Sequence, residues 1–152
     1  VQLVKIKRER KLPCNLPERP EGDVPKMPWD IGEITDDQLM ALLSEFTEWA
    51  NYLSVQTADA VLEEEAIEDE IRVVLAMNRG EPGNIREARA QIEGTNEMIA
   101  LRKKHRVARH RRHLIEGIFD NCVRSGNACS RELSRRISST SPAQKRASWS
   151  AP

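Results

Sequence analysis

From Leu39 onward, every seventh residue is apolar: Leu39, Phe46, Leu53, Ala60, Ile67 and Val74. The companion positions begin as Leu42 and Trp49, fail at Gln56 and Glu63, and the stripe moves to Ile71 and Leu75. Such drift is expected when a seven-residue frame is laid on a helix of about 3.6 residues per turn. Thr35-Asp36-Asp37-Gln38 supplies the start. The Thr35 hydroxyl can accept from the Gln38 amide while the Gln38 side chain reaches back. Ile34 and Leu39 are spaced as a hydrophobic staple, and acids in the first turn suit the helix dipole. Neither Gly nor Pro follows until Gly80. The pattern predicts a straight helix of about 44 residues, roughly 65 Å long at 1.5 Å per residue. A helix of that length cannot bury its stripe alone. It needs an antiparallel partner or other subunits.

The run Asn78-Arg79-Gly80-Glu81-Pro82-Gly83-Asn84 reads as the turn, because glycine stops the helix and proline prevents its continuation. Asn84 to Glu87 is a second capping signature, IREARAQIE (85–93) is helix-forming, and Gly94 interrupts. Thr95-Asn96-Glu97 restarts a helix that can run to Ile137, with Gly117 and Gly126 each costing about 1 kcal/mol. Leu114, Ile115, Ile118, Phe119, Cys122, Val123, Cys129, Leu133 and Ile137 form its apolar stripe. The expected fold is all-α: a long, coiled-coil-like antiparallel helical hairpin over 34–137 with a short connecting helix, forming a single domain. Residues 1–33 read as an extended arm, because Pro13, Pro17, Pro20, Pro25 and Pro28 deny it a helix. Val1 to Ile6 could pair as a short edge strand, and Trp29 and Ile31 are placed to pin the arm to the body. The polar, Ser-rich stretch 138–152 reads as a disordered tail.

Charge chooses between two hairpin registers. Residues 31–79 hold two basic and twelve acidic residues, whereas 80–152 hold fifteen basic and seven acidic, although the net charge is zero. Asp59 to Glu70 contains seven carboxylates, and Arg102 to His113 contains seven Lys or Arg with all three histidines. If the return helix pairs directly from Asn84, facing residue numbers total about 162 and the two blocks miss each other by roughly 15 Å. If it starts at Thr95, the total is about 173 and the blocks coincide, with Phe46, Trp49 and Tyr52 near Phe119 to Val123. The second register is preferred, with 84–93 as the connecting helix.

On a helical wheel the basic stretch is basic nearly all round, unlike an ordinary core helix. One reading lays these stems on the partner helix to pair with its glutamates. Exposed pairs are worth only ~0–1 kcal/mol each, so stability alone is a weak reason for seven cations. A phosphate backbone is a better one, since each neutralised phosphate releases counterions. Candidate nucleic-acid contacts are Arg102, Lys103, Lys104, Arg106, Arg109, Arg111 and Arg112, extended by Arg131, Arg135 and Arg136 and by Lys145 and Arg146 in the tail. Phe46, Trp49 and Tyr52 follow the stripe and read as core, while Trp29 and Trp149 are freer. Three cysteines imply no disulfide framework, and Cys122 and Cys129 lack a CxxC spacing. A metal site on His105, His110 and His113 is opposed by guanidinium crowding. No phosphate loop, nucleophile elbow or acid–base pair appears, so no enzyme activity and no cofactor are expected. No apolar run suits a signal peptide or a membrane span, and a cytoplasmic protein is expected.

The order FTEWANYLSVQ, LAMNRGE, EGTNEMIAL, IFDNCVRSGNACSREL resembles the UvsY family, the small recombination mediators of T4-like phages. The likeness covers about residues 35–136 and lies in layout: a Trp-bearing helix start, a charged helix, a Gly-containing turn, and a Phe-x-x-Cys patch before an arginine-containing end. Ser130 to Arg136, SRELSRR, also resembles the ending of small helical proteins of actinobacterial phages. The first resemblance implies a ring-like homo-oligomer that binds single-stranded DNA and loads a RecA-like recombinase against a single-strand-binding protein. For a phage protein, the compartment is the bacterial host's cytoplasm. The chain departs from that family at Glu63 to Arg72, acidic except for Arg72 where the family carries a basic DNA-binding cluster. DNA binding would therefore have to pass to Arg102 to Arg112. Two rival readings stay open. One is a coiled-coil assembly protein whose basic helix pairs with a neighbouring chain's acidic helix. The other is a helical-hairpin DNA-end binder or nuclease inhibitor.

Overall fold

A computed structural model describes residues 16–78 and 85–139. They form three helices, α1 (Asp36–Met77), α2 (Ile85–Glu93) and α3 (Asn96–Ser139). The two long helices, α1 and α3, pack on each other as an antiparallel hairpin. The capping box forms as expected: the Gln38 amide donates to Thr35 Oγ1 at 3.3 Å and the Thr35 amide donates to Gln38 Oε1 at 3.0 Å. At the α2–α3 break, Thr95 serves both helices. Its hydroxyl donates to the Ile92 carbonyl at 2.7 Å and accepts from the Met98 amide at 3.3 Å. Arg102 then bridges the break, donating to Glu93 Oε1 at 2.6 Å and holding that carboxyl below its ordinary range.

The register that aligns the charge blocks is the one observed. His105 meets Glu68, Arg112 meets Glu64 and Arg136 meets Asp36, pairs whose numbers total 172 to 176. The core is split in two. Leu39, Phe46, Trp49, Leu53, Cys122 and Cys129 fill the open end, and Ile71, Met98 and Leu101 fill the end near α2. In α1 and α3 the stretches between these clusters bury only Ala60 and Ala108, so the middle of the hairpin is joined largely by charged side chains. Cys122 and Cys129 are free thiols that burial pushes to higher pKa, which suits packing and not reactivity.

The described part of the arm, residues 16–35, is non-helical and lies against the open end. Val24, Met27 and Ile31 pack on the larger cluster, and the Arg19 guanidinium sits 5.9 Å from the Trp49 ring centre. Of the two residues expected to pin the arm, Ile31 does so and Trp29 does not, being 104% exposed. The Gly32 amide donates to Asp30 Oδ1 at 2.8 Å, and this Asx turn directs Ile31 inward while Trp29 stays outside. The strand expected at Val1 to Ile6 and the tail beyond Ser139 lie outside the described residues.

The two interior glycines of α3 are not required by space. A Cβ on Gly117 would meet nothing within 4 Å, and one on Gly126 would lie 3.7 Å from Phe46 Cβ, an ordinary contact. Gly117→Ala and Gly126→Ala should therefore each stabilise the fold by about 0.5–1 kcal/mol in urea denaturation. A loss at Gly126 would show that the helices approach more closely there.

Candidate nucleic-acid interface

Pairing the helices sorts the basic stretch into two populations. Arg111 Nη1 donates to Glu63 Oε2 at 2.6 Å. Arg112 Nε lies 2.7 Å from Glu64 Oε2, an ion pair whose N–H does not point along a hydrogen bond. Arg112 also approaches Glu116 at 3.5 Å. Acidic and basic blocks thus meet within one chain. By contrast, Lys103, Lys104, Arg106 and Arg109 are exposed and make no ion pair among the described residues. The helix wheel explains the division except at Lys104, which stands one turn before Ala108 on the contact side and is nevertheless exposed. Buried Ala108 marks the contact line, and Arg111 and Arg112 follow it by three and four residues, one turn along the same side. Arg106 and Arg109 stand roughly 160° and 100° round the helix from that line.

Lys103 and Arg106 belong to a longer feature, with Arg109 beside it and Lys104 about 40° from the contact line. Lys103, Arg106, His110, His113, Arg124, Arg131 and Arg135 all lie within about 40° of the line opposite Ala108. No acidic residue of α3 falls in that band. The ridge runs from Lys103 to Arg135 along the solvent side of α3, about 48 Å at 1.5 Å per residue. Arg124 was not among the sequence candidates, yet its spacing from Arg131 by seven residues is the signal that finds it. Among the described residues, Arg124 and Arg131 donate only to carbonyls of their own helix, those of Asp120 and Asn127.

The three histidines do not converge. His110 is exposed, His113 Nδ1 lies 3.3 Å from Glu116, and His105 faces α1.

The remaining candidates separate at the C-terminal end of α3. Arg131 is exposed, Arg135 pairs with Glu132 at 2.7 Å, and Arg136 is a clamp on the arm. The Arg136 guanidinium donates to the carbonyls of Ile31, Gly32 and Ile34 and pairs with Asp36 at 2.6 Å and Glu132 at 2.9 Å. Arg136 is therefore committed to the fold. Trp29, Arg131 and Arg135 share the wall of an open cavity of ≈ 410 Å³ at this end of the ridge.

Hydrogen bonds from Arg135 and then Arg136 hold the Glu132 carboxyl at about 2, below its ordinary 4.5. Its folded pKa is depressed, so its stabilisation is full above 4.5 and is lost as pH falls through about 2. Thermal midpoints of the wild type and Glu132→Gln should differ at neutral pH and converge near pH 2. A gap independent of pH would contradict this.

A second exposed feature is apolar. Val107, Leu114 and Ile118 on α3 lie on the Arg111 side, whereas Leu62 and Val73 lie roughly 160° and 140° round α1 from Ala60, on its back. The three exposed apolar residues of α3 form one flank beside the Arg111–Glu63 pair. Among the described residues, no helix is long and apolar enough to cross a membrane. Compared with models of protein families, with curated proteins and with solved structures, the chain matches none.

Proposed function

We propose that this protein is a non-enzymatic, oligomeric DNA-binding hairpin that holds a single strand along the outer ridge of α3. Its role would be that of a phage-type recombination mediator, presenting the strand to a RecA-like recombinase in place of a single-strand-binding protein. One observation carries the reading: Lys103, Lys104, Arg106 and Arg109 are exposed and have no ion-pair partner among the described residues, beside a helix rich in carboxylates. Charges kept for folding would resemble Arg111 and Arg112, which are paired. Exposed cations along one side of a long helix suit a sequence-independent polyanion, each neutralised phosphate releasing counterions. Exposed Trp29, beside Arg131 and Arg135, supports a single strand over a duplex, because a base can stack on an indole only when unpaired.

The exposed apolar face favours a second reading, a self-assembling structural protein, and the two are compatible if that face joins copies while the ridge stays open. Comparing labelled single-stranded, blunt-duplex and overhang oligonucleotides of equal length in one binding assay tests the choice. The mediator reading expects the single strand to bind best. Preference for duplex ends would favour the end-binder, and absence of binding to all three would favour the assembly protein.

A further inference from the structure

Between the two charge blocks lies a group of side chains that the DNA-binding reading does not use. Glu64 and Glu68 stand four residues apart on the same face of α1, and His105 reaches them from α3. His105 Nε2 is 3.3 Å from Glu68 Oε1 and 3.6 Å from Glu64 Oε1. It is closed to solvent, yet it meets neither oxygen at hydrogen-bonding geometry. A deprotonated Nε2 would turn its lone pair on two anionic oxygens. A protonated one would aim its N–H along neither approach.

From this arrangement we infer a divalent-cation site, suited to Zn(II), formed by Glu64, Glu68 and His105 between α1 and α3. One donor atom from each residue lies within 4.8 Å of the others. Zinc binds nitrogen and carboxylate oxygen at about 2.0–2.2 Å, and a tetrahedron with such arms has edges of about 3.3–3.6 Å. The two histidine–carboxylate distances fall in that interval. The outer oxygens are already engaged. Glu64 Oε2 faces Arg112 Nε at 2.7 Å and Glu68 Oε2 faces Arg72 Nη2 at 3.2 Å. Each arginine thereby turns the inner oxygen, Oε1, toward His105, as outer partners commonly do for metal-binding carboxylates. Two carboxylates give a dication anionic donors, and an imidazole nitrogen selects zinc over magnesium or calcium. The Glu64 and His105 side chains are only 12% and 16% exposed, whereas Glu68 is 43% exposed, leaving that side open to a water as fourth ligand. The consequence would be a metal clasp across the middle of the hairpin, where the apolar core is thinnest.

The test uses untagged full-length chain stripped with a chelator. Zn(II) is titrated by calorimetry and Co(II) by visible absorption. We expect one equivalent bound, a four-coordinate Co(II) spectrum and a higher thermal midpoint with zinc. Removing a ligand by His105→Ala or Glu68→Gln should weaken binding by about 100-fold or more, at or beyond the upper end of losses from outer-partner changes. The His110→Ala/His113→Ala double variant should bind as the wild type does. Should His105→Ala lose helicity, Glu68→Gln decides, since it changes charge at constant shape. Absence of stoichiometric binding in the wild type would overturn the site and leave His105 as a polar contact between α1 and α3. Binding that survives both ligand variants, or is lost in the His110/His113 variant, would also overturn it.

Discussion

Phe46→Ala should lower the unfolding free energy by about 3–5 kcal/mol, the range for a buried phenylalanine truncated in a well-packed core. Phe46 is 2% exposed and packs with Leu39, Trp49, Leu53, Cys122 and Cys129. Gly126 stands opposite it and has no side chain to move into the space left behind. The rest of the hairpin cannot compensate. Its middle buries only alanines, and exposed pairs such as Arg111–Glu63 contribute ~0–1 kcal/mol each. The open end is therefore where this fold is decided, and the arm is tied to that same end by Arg136. Urea denaturation followed by circular dichroism measures the loss. A change below about 1 kcal/mol would mean the end is loosely packed.

The second large effect is on binding. Reversing both Arg106 and Arg109 to glutamate should reduce affinity for a single-stranded oligonucleotide about tenfold or more at low salt. It should also flatten the dependence of log K on log salt by about 1.4, at roughly 0.7 per single-strand phosphate contact. Neither residue has an ion-pair partner among the described residues, so helicity should be unchanged. Arg111→Glu is the informative contrast. It breaks the pair with Glu63 and should cost stability while changing affinity less than the Arg106/Arg109 double variant. Equal affinity in the wild type and the double variant would remove the ridge as the binding site.

Much of this architecture was legible in the chain because its signals are local or periodic. Thr35 and Gln38 mark where α1 begins, and Gly94-Thr95 marks where α3 restarts. The two charge blocks, when aligned, set the register that the ion pairs then display. The division of the basic stretch was not legible. Arg109 and Arg112 look alike in sequence and differ only in which side of α3 meets a glutamate, which requires knowing the contact line through Ala108. Arg136 gave no sign of clamping the arm, because three of its acceptors are backbone carbonyls of Ile31, Gly32 and Ile34, a kind of partner that no side-chain pattern announces. Aromatic character suggests burial for Trp29, yet it stands fully exposed while Ile31, two residues on, packs on the core. In the sequence His105 stands with the other two histidines. Its actual neighbours, Glu64 and Glu68, lie about forty residues earlier and become neighbours only through the register.

The most direct measurement is fluorescence anisotropy of a labelled single-stranded oligonucleotide titrated with the protein at stepped salt concentrations. If Lys103, Lys104, Arg106 and Arg109 face phosphates, log K should fall linearly with log salt with a slope of about −3, and more steeply if Arg124 and Arg131 join. Failure to bind at low salt, or an affinity indifferent to salt, would contradict the ridge as a polyanion site and leave the hairpin as an assembly element.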